Sequence, residues 1–401
     1  MEPVIKSLIV KRFRSIPSEK VDFDNPTFLV GQNGSGKSNL IDALAFLAEA
    51  MTLPLQAVLK KRRGISAVKN KTRGRNQPPN LGIGVRFGAL NTRTARGRYA
   101  FEVRSLPNHG FEVVREQCLI EGNEQGPLWF DRKAKTGFQS NLTDLKPSPD
   151  PASLALPLVG GDARFASVLK TLAGMQMYAI EPGRLREMQD PDSGLTLRPD
   201  GGNAASVLQE IERQSPDDAA RICEFLAAIV PNTSRVRPVK RGHNLTLEFT
   251  QEWNGAPPLR FDASSMSDGT LRAVGLLAAV YQRPTPSLLA IEEPEATIHP
   301  GALGAILDLL RHASKQMQVI VTTHSPEVLE AEWIEDRHLR MVDWQEGATR
   351  VGPISDASRE ALRQHLMGAG ELLRSNALDP QPLFEEAKGF RDDSLFEELP
   401  R

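Results

Sequence analysis

The sequence predicts an α/β protein with a mostly parallel core sheet. Three observations predict it. Short, continuous apolar runs, "SLLAI" and "MQVIVTT", alternate with helix-periodic segments, and strands of that kind belong to sheets covered on both faces. A glycine-rich turn, "GQNGSGKS", lies between an apolar run, "PTFLV", and a helical pattern, "NLIDALAFLAEA". The first of those runs, continued as "LLAIEE", stops abruptly at two adjacent carboxylates, Glu292 and Glu293.

Taken in order, residues 3–30 read as two short strands, "VIKSLIVKRF" and "PTFLV", joined by a polar turn. The next helix carries Leu40, Ala43, Leu44 and Leu47 on one face. Strands follow at 81–88, 99–105 and 111–120, where Phe87, Tyr99 and Phe101 fall at strand spacing and read as core. Residues 121–162 are rich in Pro, Gly, Asp and Asn and read as loops. "SPDDAARICEFLAAIV" is a marked helix, with Ser215 as its cap, Pro216 in the first turn and Asp217 and Asp218 at the positive end of the dipole. Its apolar face is Ile222, Phe225, Leu226 and Ile229. "NLTLEFT" (244–250) alternates as a strand, "SDGTLRAVGLLAAVYQ" is a loop entering a helix, and 301–314 is a helix on the 303/306/307/310 face.

Composition sets bounds on this picture. The 401 residues suffice for two or three domains, and 40% hydrophobic with 25% charged residues is ordinary for a globular protein. Cys118 and Cys223 form no metal-ligand spacing and suit a reducing, cytoplasmic setting. No run approaches the length of a membrane span. Net charge is −1, yet charge is segregated. No Asp or Glu occurs between Ala50 and Phe101, while twelve Lys or Arg lie there, from Lys60 to Arg98. The tail from Asp379 is acidic. The 60–98 stretch could track a nucleic-acid backbone, meet an acidic partner or the acidic tail, or face solvent.

The glycine-rich turn matches G-x-x-x-x-G-K-[ST] at Gly31, Gly36, Lys37 and Ser38. Such a turn curls so that successive N–H groups face phosphate, the lysine reaches the outer phosphates and the hydroxyl holds Mg²⁺. Gly31, Asn33, Gly34, Ser35, Gly36, Lys37, Ser38 and Asn39 are therefore the expected ATP-binding loop. With nucleotide there, the acid pair gains a role: Glu292 beside Mg²⁺, and Glu293 polarising the attacking water.

Five pieces in order, "KRFRS", "GQNGSGKSN", "SMSDGTLR", "LLAIEEPEATIHP" and "VIVTTHSPEVL", resemble SMC/RecF-like ABC-type ATPases, in particular small bacterial AAA-family ATPases without a long coiled coil. The resemblance covers 1–50 and 260–345 most clearly and implies a P-loop ABC-ATPase head with a mostly parallel core sheet, N-terminal antiparallel strands and an inserted α/β lobe. It implies head segments at 1–120 and 261–355, an inserted lobe at 121–260 and a helical acidic tail at 356–401. "MSDGT" then stands as the signature loop, with Ser267, Asp268 and Gly269 offered to the γ-phosphate bound by a second subunit. Asp268 replaces the usual glycine and is expected to turn away and cap the helix. His324 stands as the switch histidine, and His299 falls where a D-loop acid usually stands. Arg14, with Arg12, is expected near the nucleotide. Gln56 is a candidate for the Q-loop residue, and the basic run at 60–63 could instead supply an arginine to phosphate.

The implied function is a slow ATPase that dimerises around ATP and switches an effector or nucleic acid in anti-phage defence or DNA maintenance. The implied partner is a separately encoded nuclease-like or Toprim-like protein. The alternative is a nucleotide-gated scaffold with negligible hydrolysis. A transporter motor fits poorly, because about 230 residues between the P-loop and "MSDGT" exceed a compact motor domain.

Overall fold

A computed structural model describes residues 1–70, 80–88, 96–122, 126–364, 366–375, 377–378 and 395–400. The chain opens with β1 (Ile5–Phe13), β2 (Ile16–Asp22) and β3 (Thr27–Val30), then α1 (Lys37–Thr52), α2 (Leu55–Lys61) and α3 (Ile65–Val68). Five strands follow: β4 (Leu81–Phe87), β5 (Arg96–Ser105), β6 (Phe111–Glu121), β7 (Leu128–Lys133) and β8 (Gly137–Ser140). Next come α4 (Leu156–Val159), α5 (Ala163–Ala173), β9 (Met175–Tyr178), α6 (Pro182–Arg186), α7 (Ala204–Gln214) and α8 (Pro216–Ile229). Strands β10 (Thr233–Arg241), β11 (Asn244–Gln251) and β12 (Leu259–Asp262) lead to α9 (Asp268–Tyr281), β13 (Leu288–Glu292), α10 (Pro300–Ala313) and β14 (Gln318–Thr323). The described chain continues through β15 (Leu339–Gln345), β16 (Ala348–Gly352), α11 (Asp356–Arg363) and α12 (Ala369–Arg374).

The contacts divide the chain into two compact units. One comprises Glu2–Met175, Asp336–Gln364 and Leu378–Arg401. It holds an antiparallel seven-stranded sheet in the order β2-β1-β4-β5-β6-β7-β8. There, too, β3 pairs with β15 in parallel, and β15 pairs with β16 antiparallel. Phe13, Phe46, Phe101 and Tyr99 form a chain of ring contacts with centroids 5.9–6.2 Å apart, and all four rings are fully buried. Phe87 is buried as well, so the aromatic positions at strand spacing are core.

The second unit comprises mainly Gln176–Glu335 with His365–Ala377. In it β13 and β14 run parallel, with Ile291 opposite Val321 and Glu292 opposite Thr322. The first four residues of β13 and all six of β14 are buried, as strands covered on both faces require. Helix α9 is buried over nearly its whole length. Strands β10, β11 and β12 form a separate antiparallel sheet. Ser215 caps α8 by accepting from the Asp218 N–H, and Ile222, Leu226 and Ile229 are its buried apolar face.

Two readings of the sequence are corrected. The polar turn in 3–30 is strand β2; its Pro, Ser, Glu and Lys hide any alternation because it lies at the edge of the seven-stranded sheet, with only Ile16 and Val21 buried. Residues 121–162 are not all loop: β7 and β8 extend the same sheet, and α4 follows them. These strands are too short to show a period on their own; β7 is held by pairing to β6, and β8 by pairing to β7. No helix among the described residues is long and apolar enough to cross a membrane.

Candidate functional site

Residues 31–36 curl between β3 and α1, and Lys37 and Ser38 open that helix. Gly34 and Gly36 take φ of 81° and 104°, a region that side chains disfavour. Space forbids a side chain as well: a Cβ on Gly31 would lie 2.0 Å from the Val342 carbonyl oxygen, and one on Gly36 2.0 Å from Thr349 Oγ1. Lys37 is buried and its Nζ donates to the carbonyls of Gly31 (2.7 Å) and Gln32 (2.9 Å). Ser35 Oγ is buried without a hydrogen-bond partner, and no side chain caps the sixteen-residue helix α1. A curled backbone, a buried ammonium, an orphaned hydroxyl and an uncapped helix N-terminus together fit a bound phosphate chain.

The loop is braced from outside. Thr349 Oγ1 donates to the Ser35 carbonyl (2.9 Å), so its single proton is used there. Ser15 Oγ lies 2.6 Å from Thr349 Oγ1 and must donate to it, while Asn39 Nδ2 donates to Ser15 Oγ at 2.5 Å. A directed chain therefore runs from Asn39 through Ser15 and Thr349 to the loop backbone. Sequence reading missed Ser15 and Thr349, since nothing local marks a threonine over 300 positions away as part of the turn.

Arg14 binds Asp42 of α1 at 2.5 Å. Arg62, nearly buried, is shared between Asp42 and Glu49 of the same helix, and Lys61 also binds Glu49. Gln56 is exposed on α2. The guanidiniums of Arg14 and Arg62 thus brace α1, the helix that follows the glycine-rich loop.

The acid pair lies in the second unit. Glu293, just past β13, has φ of 44°, a left-handed value that costs a residue with a side chain about 1–3 kcal/mol. Both of its backbone groups are held. Its N–H donates to the Thr322 carbonyl (3.0 Å) and to Thr322 Oγ1 (3.2 Å), and its carbonyl accepts from Arg272 Nη1 at 3.0 Å. The parallel register brings the ends of β13 and β14 side by side, and His324 Nδ1 lies 3.1 Å from Glu293 Oε1. A carboxylate only accepts, so Nδ1 carries the hydrogen and a neutral His324 keeps its lone pair on Nε2.

Glu295, also missed, stands behind this pair. Thr323 Oγ1 donates to its Oε1 at 2.5 Å, while Oε2 is shielded from solvent and unpaired. Burial raises the Glu295 pKa despite the threonine, and the Glu293 charge adds to the rise. Burial lowers the Arg272 pKa, against the pull of Glu295 and Glu293.

Ser267 caps α9, with its Oγ accepting from the Thr270 N–H at 3.2 Å. Asp268 does not cap the helix. It occupies the first helical position, one residue past the cap, and pairs with Arg186 of α6 at 2.6 Å. Arg186 also donates to the Met266 carbonyl (3.0 Å), so the middle segment braces the "MSDGT" loop. Gly269 is required by contact: a Cβ would meet the Thr297 carbonyl at 2.6 Å. His299 caps α10, its Nδ1 accepting from the Gly301 N–H at 3.0 Å.

Part of the basic stretch lies outside the described residues: Lys71, Arg73, Arg75 and Arg93. Of the rest, Arg96 pairs with Glu121, while Arg86 and Arg98 pair with Glu397 of the acidic tail.

Comparison with known proteins agrees with this anatomy. Residues 4–78 match the family described as "AAA ATPase domain", and residues 187–330 match "AAA domain, putative AbiEii toxin, Type IV TA system". No curated protein matches the chain. Among solved structures it is similar to an Smc head bound to the C-terminal winged-helix domain of ScpA. That likeness has TM-score 0.58 and 15% identity and covers 89% of this chain and 99% of that one. It is also similar to the Smc head domain with an extended coiled coil bound to the C-terminal domain of ScpA, derived from Pyrococcus furiosus. Here the TM-score is 0.55 and the identity 13%, over 91% and 99% of the two chains. The fold is similar to that of Smc heads, and the two matched segments are similar to AAA-type ATPase domains. Together with the motifs, these likenesses support an SMC/RecF-like ABC-type ATPase head.

Proposed function

We propose that this protein binds ATP with Mg²⁺ on the Gly31–Asn39 loop, dimerises around it and hydrolyses it slowly to switch a bound effector. The observation that carries the reading is the Glu293–His324 pair: a carboxylate held in a strained backbone conformation, 3.1 Å from an imidazole. A strand end that merely met solvent would need neither the strain nor the clamps on both backbone groups.

Ser38 and Glu292 would hold the cation, in keeping with Mg²⁺ sites made from one or two protein oxygens and substrate phosphates. When bound, MgATP supplies the scissile anhydride and its charge neutralisation. Glu293 then accepts a proton from water as general base. His324 keeps Glu293 Oε1 hydrogen-bonded, leaving Oε2 to face the water. Ser267, Asp268 and Gly269 would serve a second subunit's γ-phosphate, Ser267 through its position at the N-terminus of α9. Arg14 acts through Asp42, orienting α1 behind the loop.

The setting we propose is anti-phage defence or DNA maintenance in the cytoplasm, with a separately encoded nuclease-like or Toprim-like effector. The AbiEii-type match supports defence, and the Smc heads seen with ScpA support partner binding by this fold.

Glu293→Gln keeps the shape but cannot accept the proton. It is expected to reduce ATP turnover at least about a hundredfold, as loss of a general base does. It should also trap an ATP-dependent dimer in sedimentation. Wild-type turnover in the variant, or an association state indifferent to ATP, would refute the proposal.

A further inference from the structure

The acidic tail returns to the protein. Leu395 is buried against the seven-stranded sheet, touching Ile9 and Ala100. Its socket exists because two residues of β4 are glycines. A Cβ on Gly82 would lie 2.2 Å from Leu395 Cδ1, and one on Gly84 3.1 Å from Cδ2. Phe396 lies under a guanidinium, with Arg115 Cζ 4.3 Å from the ring centroid. The Glu397 carboxylate is held by Arg86 at 2.9 Å and by Arg98.

The backbone is recognised as well. Gln117 Nε2 donates to the Glu397 carbonyl at 3.2 Å, and Gln117 Oε1 accepts the Glu397 N–H at 3.1 Å. Arg98 donates to the Leu395 carbonyl. Gln117 and Arg98 are 0% and 4% exposed, so two buried polar side chains are committed to three residues of tail. Burying an amide and a guanidinium is costly unless their hydrogen bonds are met, and here the tail meets them. Leu packing, an aromatic ring under a cation, a clamped carboxylate and a paired backbone make a sequence-reading groove of the kind that binds short acidic peptides.

The tail contains the docked tetrapeptide twice. Leu-Phe-Glu-Glu occurs at 395–398 and again, twelve residues upstream, at 383–386. The contacts above involve only features that both copies share; neither Pro382 and Ala387 nor Ser394 and Leu399 enters them. We propose that this groove is a recognition site for Leu-Phe-Glu-Glu peptides, and that its second ligand is residues 383–386 of the same chain, which take the seat when 395–398 leave it. The exchange would shorten the connection from Leu378 to the seat from sixteen residues, 379–394, to four, 379–382. It would also release the C-terminal copy as a free acidic peptide. The charge pattern fits: Arg86 and Arg98 lie in the one long stretch of the chain without carboxylates, and the tail supplies the missing anions.

The test uses the full chain without nucleotide and two fluorescent synthetic peptides, covering residues 393–400 and 381–388. Leu395→Asp with Glu397→Arg disables the docked copy, Leu383→Asp with Glu385→Arg disables the upstream copy, and a quadruple variant disables both. Either double variant is expected to bind both peptides at least about tenfold more weakly than the quadruple variant, because the remaining copy fills the seat. The quadruple variant should bind the two peptides with affinities within about threefold of each other. Adding Gly82→Val, which fills the leucine socket, should abolish both. If the charged variants fail to fold, Leu395→Ala with Glu397→Gln and the matching changes at 383 and 385 must give the same pattern. The proposal is overturned if disabling 395–398 alone opens the seat fully, or if the quadruple variant binds neither peptide. It is overturned too if the 395/397 variant forms a concentration-dependent dimer that is lost when 383 and 385 are also changed, since the upstream copy would then be seated in a second chain.

Discussion

Glu295 shows how a single carboxyl group is tuned by its surroundings. One oxygen accepts from Thr323 and the other meets nothing, so burial favours the neutral acid and raises its pKa. The sign follows from linkage. A group whose folded pKa is raised contributes stability that is complete below the ordinary glutamate value of 4.5 and is lost as pH rises through the folded pKa. Glu295→Gln is permanently neutral and can still accept from Thr323. It should therefore raise the melting temperature at pH 7.5 and change it little at pH 4. Equal shifts at both pH values would show that the ionised form is not penalised. Glu292 and Glu293 were legible because two acids ending an apolar run are conspicuous in any sequence. Glu295 and Arg272 were not, since their meaning lies in atoms of Thr323 and Glu293 that only the folded backbone brings near.

At the scale of elements, loop and helix termini carry the site, and each is held by a nameable contact. Ser267 caps α9, so Ser267→Ala is expected to cost about 1 kcal/mol of stability, read as a lower denaturation midpoint with unchanged slope. Gly269→Ala should cost more, because the Thr297 carbonyl would have to move; a stability equal to wild type would refute that packing. A similar argument applies to α4. The fully buried Glu116 accepts from Tyr99 Oη (2.8 Å), the Leu156 N–H (2.8 Å) and the Ala155 N–H, tying β6 to the start of this short helix. Burial raises its pKa, while those three donors pull it down. Glu116→Ala should destabilise the chain by about 3 kcal/mol or more, measured by urea unfolding, since it leaves three donors without their acceptor and Arg132 without its carboxylate, with only the Ser153 and Asp150 carbonyls to accept from it. Sequence reading placed Ser215 and Ser267 at helix starts because capping is local. It misassigned Asp268 because the choice between capping and pairing depended on Arg186, 82 positions away.

For the whole molecule, the uneven charge has a partner inside the chain. The tail answers Arg86 and Arg98, and α1 answers Lys61 and Arg62. Among the described cations of the stretch, Arg96 pairs with Glu121, and Lys60, Arg63 and Lys69 lie apart from those acids; Lys60 and Arg63 are the exposed ones on which the nucleic-acid test is made. If this face tracks a phosphate backbone, Lys60→Glu with Arg63→Glu should weaken DNA binding uniformly across sequences. It should also lower the salt slope by about one per residue. Unchanged affinity and slope would remove DNA from this surface.

The sequence by itself pointed to the class of machine. A glycine-rich turn between strand and helix, an acid pair at a strand end, a serine-led helix start and a histidine after a buried strand are short patterns whose chemistry travels with them. Tertiary structure alone decided how those patterns are held: Thr349 under the glycine-rich loop, Arg272 and Thr322 on the strained Glu293, Arg186 on Asp268, and the sheet's glycine socket for the tail. The physical reason is range. Periodicity, capping and turn chemistry act over a few residues and can be read in order along the chain. Hydrogen bonds and close packing between positions tens or hundreds apart exist only once the backbone has brought them together.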